Sequence, residues 1–398
     1  MTLLAGLAEI HDVGRDARRG GYSRHVWDTS ELELREWFMA RAVALGLDVE
    51  NDRNGNIWAW WGAPGADAVV TGSHLDSVPG GGEFDGPLGV VSALDAVARL
   101  QATGFAPSRP FAIVVFAEEE GSRFGIACLG SRLLTGAVAP DKINALMDAA
   151  GVTFAEAATR AGLDPAHIGV DREALDRIGL FVELHVEQGR GLIDLGASVA
   201  VASTILAHGR WRVTYSGEGN HAGATLMSGR RDPMVAASRG VLATREAAAR
   251  MHGARATVGR LEAVPGGTNV IASQVSTWLD ARAESEEDTR ALVDQITAGV
   301  AEAAAGENCD VTIVEESWSG QVTFDGALRD RLSSALGSVP VLPTGAGHDA
   351  GVLASAVPTA MLFVRNPTGI SHSPEERAEL DDTIAGVEAL ERVLRELL

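Results

Sequence analysis

Apolar positions along the chain follow three rhythms, and each predicts a different element. Short continuous apolar runs, Ala68-Val69-Val70, Pro110–Ala117 (PFAIVVFA) and Pro358–Val364 (PTAMLFV), predict strands buried on both faces. Gly179–Glu187 (GLFVELHVE) alternates imperfectly and predicts another strand, followed by Ala197–Leu206. A helical period sets in after Asp85, with Leu88, Val91, Leu94 and Val97 on one face. It recurs in residues 30–46, where Ser30 is the expected N-cap and Gly46 the expected stop. It recurs again in Leu380–Leu398, where Ile384, Val387, Leu390, Val393 and Leu394 face a core. Asp381 and Asp382 complement the dipole at the start of that helix. Asn54-Gly55-Asn56 marks a tight turn between two strand-like runs, Leu47–Glu50 and Ile57–Trp61, with Trp58, Trp60 and Trp61 as packing residues. Residues 141–178 read as short helices that form covering structure or a lid.

Near residue 207 the rhythm changes to period two. Arg210–Ser216 alternates as a half-exposed antiparallel strand would. A helix from about Asp232 to Met251 follows, with Pro233 in its first turn, then strands Ala256–Val264 and Val270–Ala281. A helix (Ser285–Ala305) and a strand (Val311–Trp318) complete a β-α-β-β-α-β order, the ferredoxin-like arrangement. The α/β pattern resumes from Asp325. The expected fold class is α/β, with a mainly parallel-sheet catalytic domain (1–207 and 326–398) carrying an inserted ferredoxin-like α+β domain (208–325).

Charge narrows the partners. Against 33 Lys and Arg stand 54 Asp and Glu, a formal net charge of −21. That balance disfavours nucleic acid and anionic membrane surfaces, yet leaves room for a small anionic substrate. The N-terminus lacks the long apolar core of a signal peptide, and no run of eighteen uncharged apolar residues predicts a membrane span. Cys128 and Cys309 form no CxxC, so a reduced, cytoplasmic setting is the expectation.

Chemistry gathers at strand ends. The stretch TGSHLDSVPGGGEFDGPLGV (71–90) places His74 and Asp85 on either side of one glycine-rich loop. In open α/β sheets ligands bind beyond the carboxyl ends of the strands. Imidazole with carboxylate suits a divalent transition ion, and Asp76 could orient His74 by accepting its second N–H. Glu118-Glu119-Glu120 end a buried strand, where three carboxylates repel one another unless a cation sits there; Arg123 and Arg132 offer a partial offset. His185 lies on the next strand and His372 just beyond the last. Taken singly these are a capped turn, a solvated acidic turn and packed or surface histidines. Five at one sheet edge predict a two-metal site in which Asp85 bridges, one glutamate ligates and a neighbour acts as general base.

The motifs GSHLDSVPGGGEFDGPLGV, EEEGSRFG, ELHVEQG, NHAG, GGTNVI, TGAGHDA and ISHSPEE run in order over nearly the whole chain. On these the sequence resembles the hydantoinase/carbamoylase family of metal-dependent amidohydrolases, akin to the dinuclear-zinc aminoacylases and exopeptidases. The resemblance implies His74 and His185 on one metal, Glu120 and His372 on the other, Asp85 bridging, Glu119 as base and Asp76 orienting His74. It implies two divalent ions (zinc, manganese, cobalt or nickel) and a homodimer formed through the inserted domain. It further implies that His221 reaches the other subunit's site to stabilise an oxyanion. Asn269 and Arg282 would hold the substrate carboxylate, with Gln188 and His348 on the substrate side. The implied substrate is a small ureido carboxylate, allantoate or an N-carbamoyl-L-amino acid. His185 argues against the exopeptidase branch, which usually has an acidic residue there, so an aminoacylase or dipeptidase is the second reading and a non-catalytic binding module the third. Ala-Glu-Ser after Arg282 departs from the family pattern, as do Arg365 and Asn366, which could shape the substrate pocket or serve only the surface.

Overall fold

The apolar run Phe111–Phe116 is a strand buried along its whole length, and the main sheet is laid around it. The computed structural model describes residues 3–398, and the chain divides into two compact units, Met1–Thr204 with Thr323–Leu398, and Ile205–Val322. In chain order the strands are β1 (Asp48–Asn51), β2 (Ile57–Trp61), β3 (Ala68–His74), β4 (Phe111–Phe116), β5 (Ile178–Val186) and β6 (Val199–Ile205). They continue with β7 (His208–Ser216), β8 (Asn220–His221), β9 (Arg255–Val264), β10 (Val270–Ile271), β11 (Gln274–Arg282) and β12 (Asp310–Ser319). The last three are β13 (Val322–Thr323), β14 (Val341–Thr344) and β15 (Thr359–Val364).

The large sheet runs β1-β2-β4-β3-β5-β15-β6-β13, with β14 also on β6. Its four central strands, β4-β3-β5-β15, are parallel, and antiparallel pairs flank them on both sides. The helix Pro87–Ala102 and the C-terminal helix Leu380–Leu397 bury apolar stripes with Val69, Ile113, Val182 and Leu362 in one core. A second core, with Trp27, Phe124, Leu133 and Phe154 at its centre, takes in the short helices between residues 129 and 160.

Register places the chemistry. Gly72 pairs with Glu183 across β3 and β5, and the same offset sets His74 beside His185 at the carboxyl ends. At Gly72 the backbones approach so closely that a Cβ would stand 1.8 Å from the Val114 carbonyl oxygen.

The second unit carries β7, β9, β11 and β12 in the sheet order β12-β7-β11-β9, every neighbouring pair antiparallel. With helices Pro233–Arg250 and Glu286–Gly306, this is the ferredoxin-like order. Both helices share one core with Trp211, Tyr215, Val275 and Leu279. Beside it, β8 and β10 form a separate two-stranded ladder.

The first long helix departs from the sequence reading. It runs Thr29–Ala44 with Asp28 at the cap, so Ser30 lies inside it. Glu31 ties down the chain's entry to the helix: its carboxylate accepts the Trp27 N–H at 2.8 Å and pairs with Arg35 at 2.6 Å, all buried. Among the described residues no helix is long and apolar enough to cross a membrane.

The close approach at Gly72 generates a test. Gly72→Ala is expected to cost at least about 1–3 kcal/mol, the usual penalty for overpacking, because a backbone oxygen cannot swing aside. Calorimetry of the two proteins should show a lowered unfolding midpoint for the large-sheet unit; an unchanged midpoint contradicts the register.

Candidate active site

Two imidazoles are turned inward by their own backbone. His74 Nδ1–H donates to the Asp76 carbonyl oxygen at 3.0 Å, and His185 Nδ1–H donates to the Val186 carbonyl oxygen at 2.9 Å. These bonds assign the proton to Nδ1 and leave both Nε2 lone pairs facing forward. Both Nε2 atoms are buried and lack a hydrogen-bond partner among the described residues. They converge on one oxygen, Asp85 Oδ1, at 3.5 Å from His74 and 3.2 Å from His185. Gly86, with φ +84°, makes this possible: a Cβ there would lie 2.5 Å from the His74 ring.

The other oxygen of Asp85 faces a second group. Oδ2 lies 3.4 Å from His372 Nε2, which lies 3.4 Å from Glu120 Oε2. The ligand atoms of His74, Asp85 and His185 fall within 4.8 Å of one another, as do those of Asp85, Glu120 and His372. Asp85 thus stands between two potential metal positions with one oxygen toward each. Orphaned imidazole lone pairs beside carboxylates are the donor set a zinc-like ion takes, so the residues present fit a pair of divalent ions.

The three glutamates after β4 divide the work. Glu118, at φ +53°, turns back so that its carboxylate accepts the N–H groups of Arg123 (2.9 Å) and Phe124 (2.7 Å). Glu120 reaches His372. Glu119 lies 3.7 Å from His74 Nε2, and its other oxygen accepts the Cys128 thiol at 3.1 Å. Asp76 organises this turn: its two oxygens accept the N–H groups of Glu119 and Glu120, each at 3.1 Å. It orients His74 mainly through its backbone carbonyl, its carboxylate being 3.6 Å from Nδ1. The expected arginine offset is absent from the described bonds: Arg123 pairs with Asp148 at 3.1 Å, and Arg132 donates to the Ala127 carbonyl.

Charge is unbalanced here. Burial raises the Glu120 pKa well above its usual range, and Asp85 and Glu119 add to the rise. Burial also raises Glu119, to about 7, with Asp76 and Asp85 adding and His74 opposing. Burial alone would lower His74, but Glu119, Asp76 and Asp85 together raise it well above the ordinary histidine value. Asp85 is the converse: burial would raise it, and His185 and His74 hold it well below the carboxylate range. Each carboxylate leans on its opposite as well as on a neutral donor, and buried carboxylates crowded in this way are the condition a bound cation relieves.

Gln188 Nε2 donates to Asp85 Oδ2 and to Ser371 Oγ, both at 2.9 Å. His348 is buried edge-on against His185, ring centroids 4.5 Å apart, and burial, with neighbouring His185 adding, lowers its pKa well below the ordinary histidine value. Among the residues at the site that were not anticipated are Ser371 and Glu376. Nothing in a Ser-His-Ser-Pro-Glu-Glu turn distinguishes an inward glutamate from a solvated one. Arg365 and Asn366 are accounted for without a pocket. Arg365 pairs with buried Asp382 at 2.9 Å, and Asn366 holds its own loop by accepting the N–H groups of Thr368 and Gly369.

His221, Asn269 and Arg282 belong to the second unit. His221 is exposed; its Nδ1 accepts the N–H groups of Gly223 (3.1 Å) and Ala224 (3.2 Å), so Nε2 carries the proton. The β8–β10 ladder pairs His221 with Val270, and the Asn269 carbonyl accepts the Ala222 N–H, so these two residues are neighbours. Arg282 stands at the far end of the nine-residue β11. At ~3.4 Å per residue that strand spans about 27 Å, with Asn269 before its first residue and Arg282 its last. Asp280 grips the Arg282 guanidinium at 2.7 and 2.9 Å.

Residues 70–396 match the peptidase family M20/M25/M40. The chain belongs to this family. It is 36% identical over 391 residues to the N-carbamoyl-L-amino acid amidohydrolase of Geobacillus stearothermophilus, covering 96% of this chain and 95% of that one. It is 33% identical over 392 residues to the allantoate amidohydrolase of Escherichia coli K12, covering 95% and 93%. A hydantoinase/carbamoylase family amidase from Burkholderia multivorans superposes with a TM-score of 0.86 at 30% identity, covering 98% of this chain and 95% of that one. The M20 protein is thus a metal-dependent hydrolase whose named relatives are amidohydrolases.

Metal binding at these residues has a thermodynamic signature. Zinc or manganese at about a hundred times its dissociation constant should stabilise the folded chain by about 2.7 kcal/mol per site. Scanning calorimetry should show a higher midpoint than in chelator-stripped protein, with the share of one site lost in His185→Ala. Equal midpoints with and without ion contradict the site.

Proposed function

We propose that this protein hydrolyses the ureido C–N bond of a small carboxylate, allantoate or an N-carbamoyl-L-amino acid, releasing ammonia, carbon dioxide and the organic amine. The observation that carries the reading is Asp85 set between two ligand groups, with the unpartnered Nε2 atoms of His74 and His185 on one side. The names of the relatives agree with it. His74 and His185 would hold one divalent ion, Glu120 and His372 the other, and Asp85 both; zinc, manganese, cobalt and nickel all suit these donors. Such a pair lowers the pKa of a water and polarises a carbonyl oxygen.

The remaining steps fall to the chain's own groups. Glu119 is aimed into the site by Asp76 behind its N–H and Cys128 at its carboxylate. It takes the proton of the attacking water and delivers it to the departing nitrogen. The Nε2–H of His221 suits a developing oxyanion, and Arg282, planar and already oriented by Asp280, suits the substrate carboxylate. Because β11 separates His221 and Asn269 from Arg282, a complete site takes them from two copies of the chain. We therefore favour a homodimer through the ferredoxin-like unit. Leu226 and Met227, 79% and 76% exposed beside the His221 turn, are apolar surface such a contact would cover.

Glu119→Gln is expected to keep its metal content while kcat falls about 10²- to 10⁴-fold, the usual share of a general base; near-normal turnover removes Glu119 from the role. Arg282→Ala should chiefly raise KM for carboxylate substrates. The reaction itself is tested by metal-loaded protein offered allantoate, N-carbamoyl-L-amino acids, N-carbamoyl-β-alanine and N-acetyl amino acids. Ammonia release from one ureide class is the expected result. Cleavage of only the acetyl compounds makes the protein an aminoacylase, and silence on all makes it a binding module.

A further inference from the structure

Asp85 must keep both oxygens in place, one toward each half of the site, and its own loop gives it little support. It follows Pro79-Gly80-Gly81-Gly82, a run with little stiffness of its own. The support comes from the other end of the chain. Glu376, buried with 5% exposure, places Oε1 3.0 Å from both the Phe84 and the Asp85 nitrogens and accepts the two N–H groups. Its Oε2 lies 3.1 Å from Ser371 Oγ, which lies 3.2 Å from Asp85 Oδ2. Gly82 leaves the room this needs, since a Cβ there would stand 2.1 Å from Glu376 Oε1. One carboxylate therefore holds Asp85 by its main chain, and the Ser371 hydroxyl lies between the two side-chain carboxylates with one proton to give. The same short segment, 371–376, carries His372.

We propose that Glu376 is the positioning residue of the site, locking the Asp85 loop to the His372 loop so that the two halves keep a fixed spacing. It touches no substrate and donates to no ion; it acts through Asp85, and the inference rests on the reading of Asp85 as the shared ligand. The frame depends on acceptor geometry rather than on charge. A glutamine at 376 can accept the same two N–H groups with its amide oxygen and donate to Ser371, leaving the hydroxyl proton for Asp85.

The test is zinc affinity, measured on purified full-length protein by competition with a chelator of known affinity. Loss of a partner behind a ligand typically weakens metal binding about 10- to 100-fold, and Glu376→Ala is expected in that range. Glu376→Gln should stay within about threefold of the parent. Ser371→Ala, which keeps the main-chain anchor, should fall between them. A merely structural role would lower the unfolding midpoint of metal-free Glu376→Ala and leave its zinc affinity intact, and that result overturns the proposal. So does a Glu376→Gln variant as weak as the alanine. If Glu376→Ala does not fold, the ordering of Glu376→Gln above Ser371→Ala decides alone. Asp85→Asn separates this inference from the one beneath it. If Asp85→Asn binds zinc like the parent, the metal-site reading fails; if it loses zinc while Glu376→Ala does not, only the positioning role fails.

Discussion

Everything at this site follows from one electrostatic problem, the burial of several carboxylates among imidazoles with no fixed cation. An isolated buried carboxylate is costly, and each one that must stay ionised needs an opposite charge or several donors. Asp76 gives both its oxygens to backbone N–H groups and Glu118 gives one, and the two build the turn. Asp85, Glu119 and Glu120, of which only Glu120 accepts a backbone N–H, from Val78 at 3.3 Å, among the described bonds, face His74, His185 and His372. The division explains why adjacent glutamates of identical chemistry take different roles. What sets each role is the direction in which the strand end and its turn aim the side chain.

The sheet supplies that aim. Parallel neighbours β3 and β5 put their carboxyl ends side by side, so two histidines far apart in sequence meet with rings stacked 5.8 Å apart. Small residues are required where backbones or rings crowd: Gly72 against β4 and Gly86 against the His74 ring. The elements that hold the site are thus the most buried in the molecule, and the reacting groups lie on the loops just past them, where orientation is rigid and access is open.

The clustering of the candidate ligand groups was legible in the sequence because each ends or follows a buried apolar run, a pattern that alternation and run length disclose. The ferredoxin-like unit was legible for the same reason, its strands being half exposed and its helices strongly periodic. Three features were not. Ser30 looks like a cap, and only the fold shows Glu31 reaching back to the Trp27 N–H. Glu376 and Ser371 act on Asp85 across nearly three hundred residues, a pairing no local pattern records. Asn269 and Arg282 were paired by resemblance, and the nine-residue β11 lies between them along the chain.

The central claim is that Asp85 is shared by two ions. Anomalous X-ray scattering from crystals of the metal-loaded protein tests it most directly. The account predicts two peaks about 3.5–4 Å apart, as in other two-metal hydrolases. One should lie against His74 and His185, the other against Glu120 and His372, with an oxygen of Asp85 on each. A single fully occupied peak, or two peaks with Asp85 bound to only one, would contradict it.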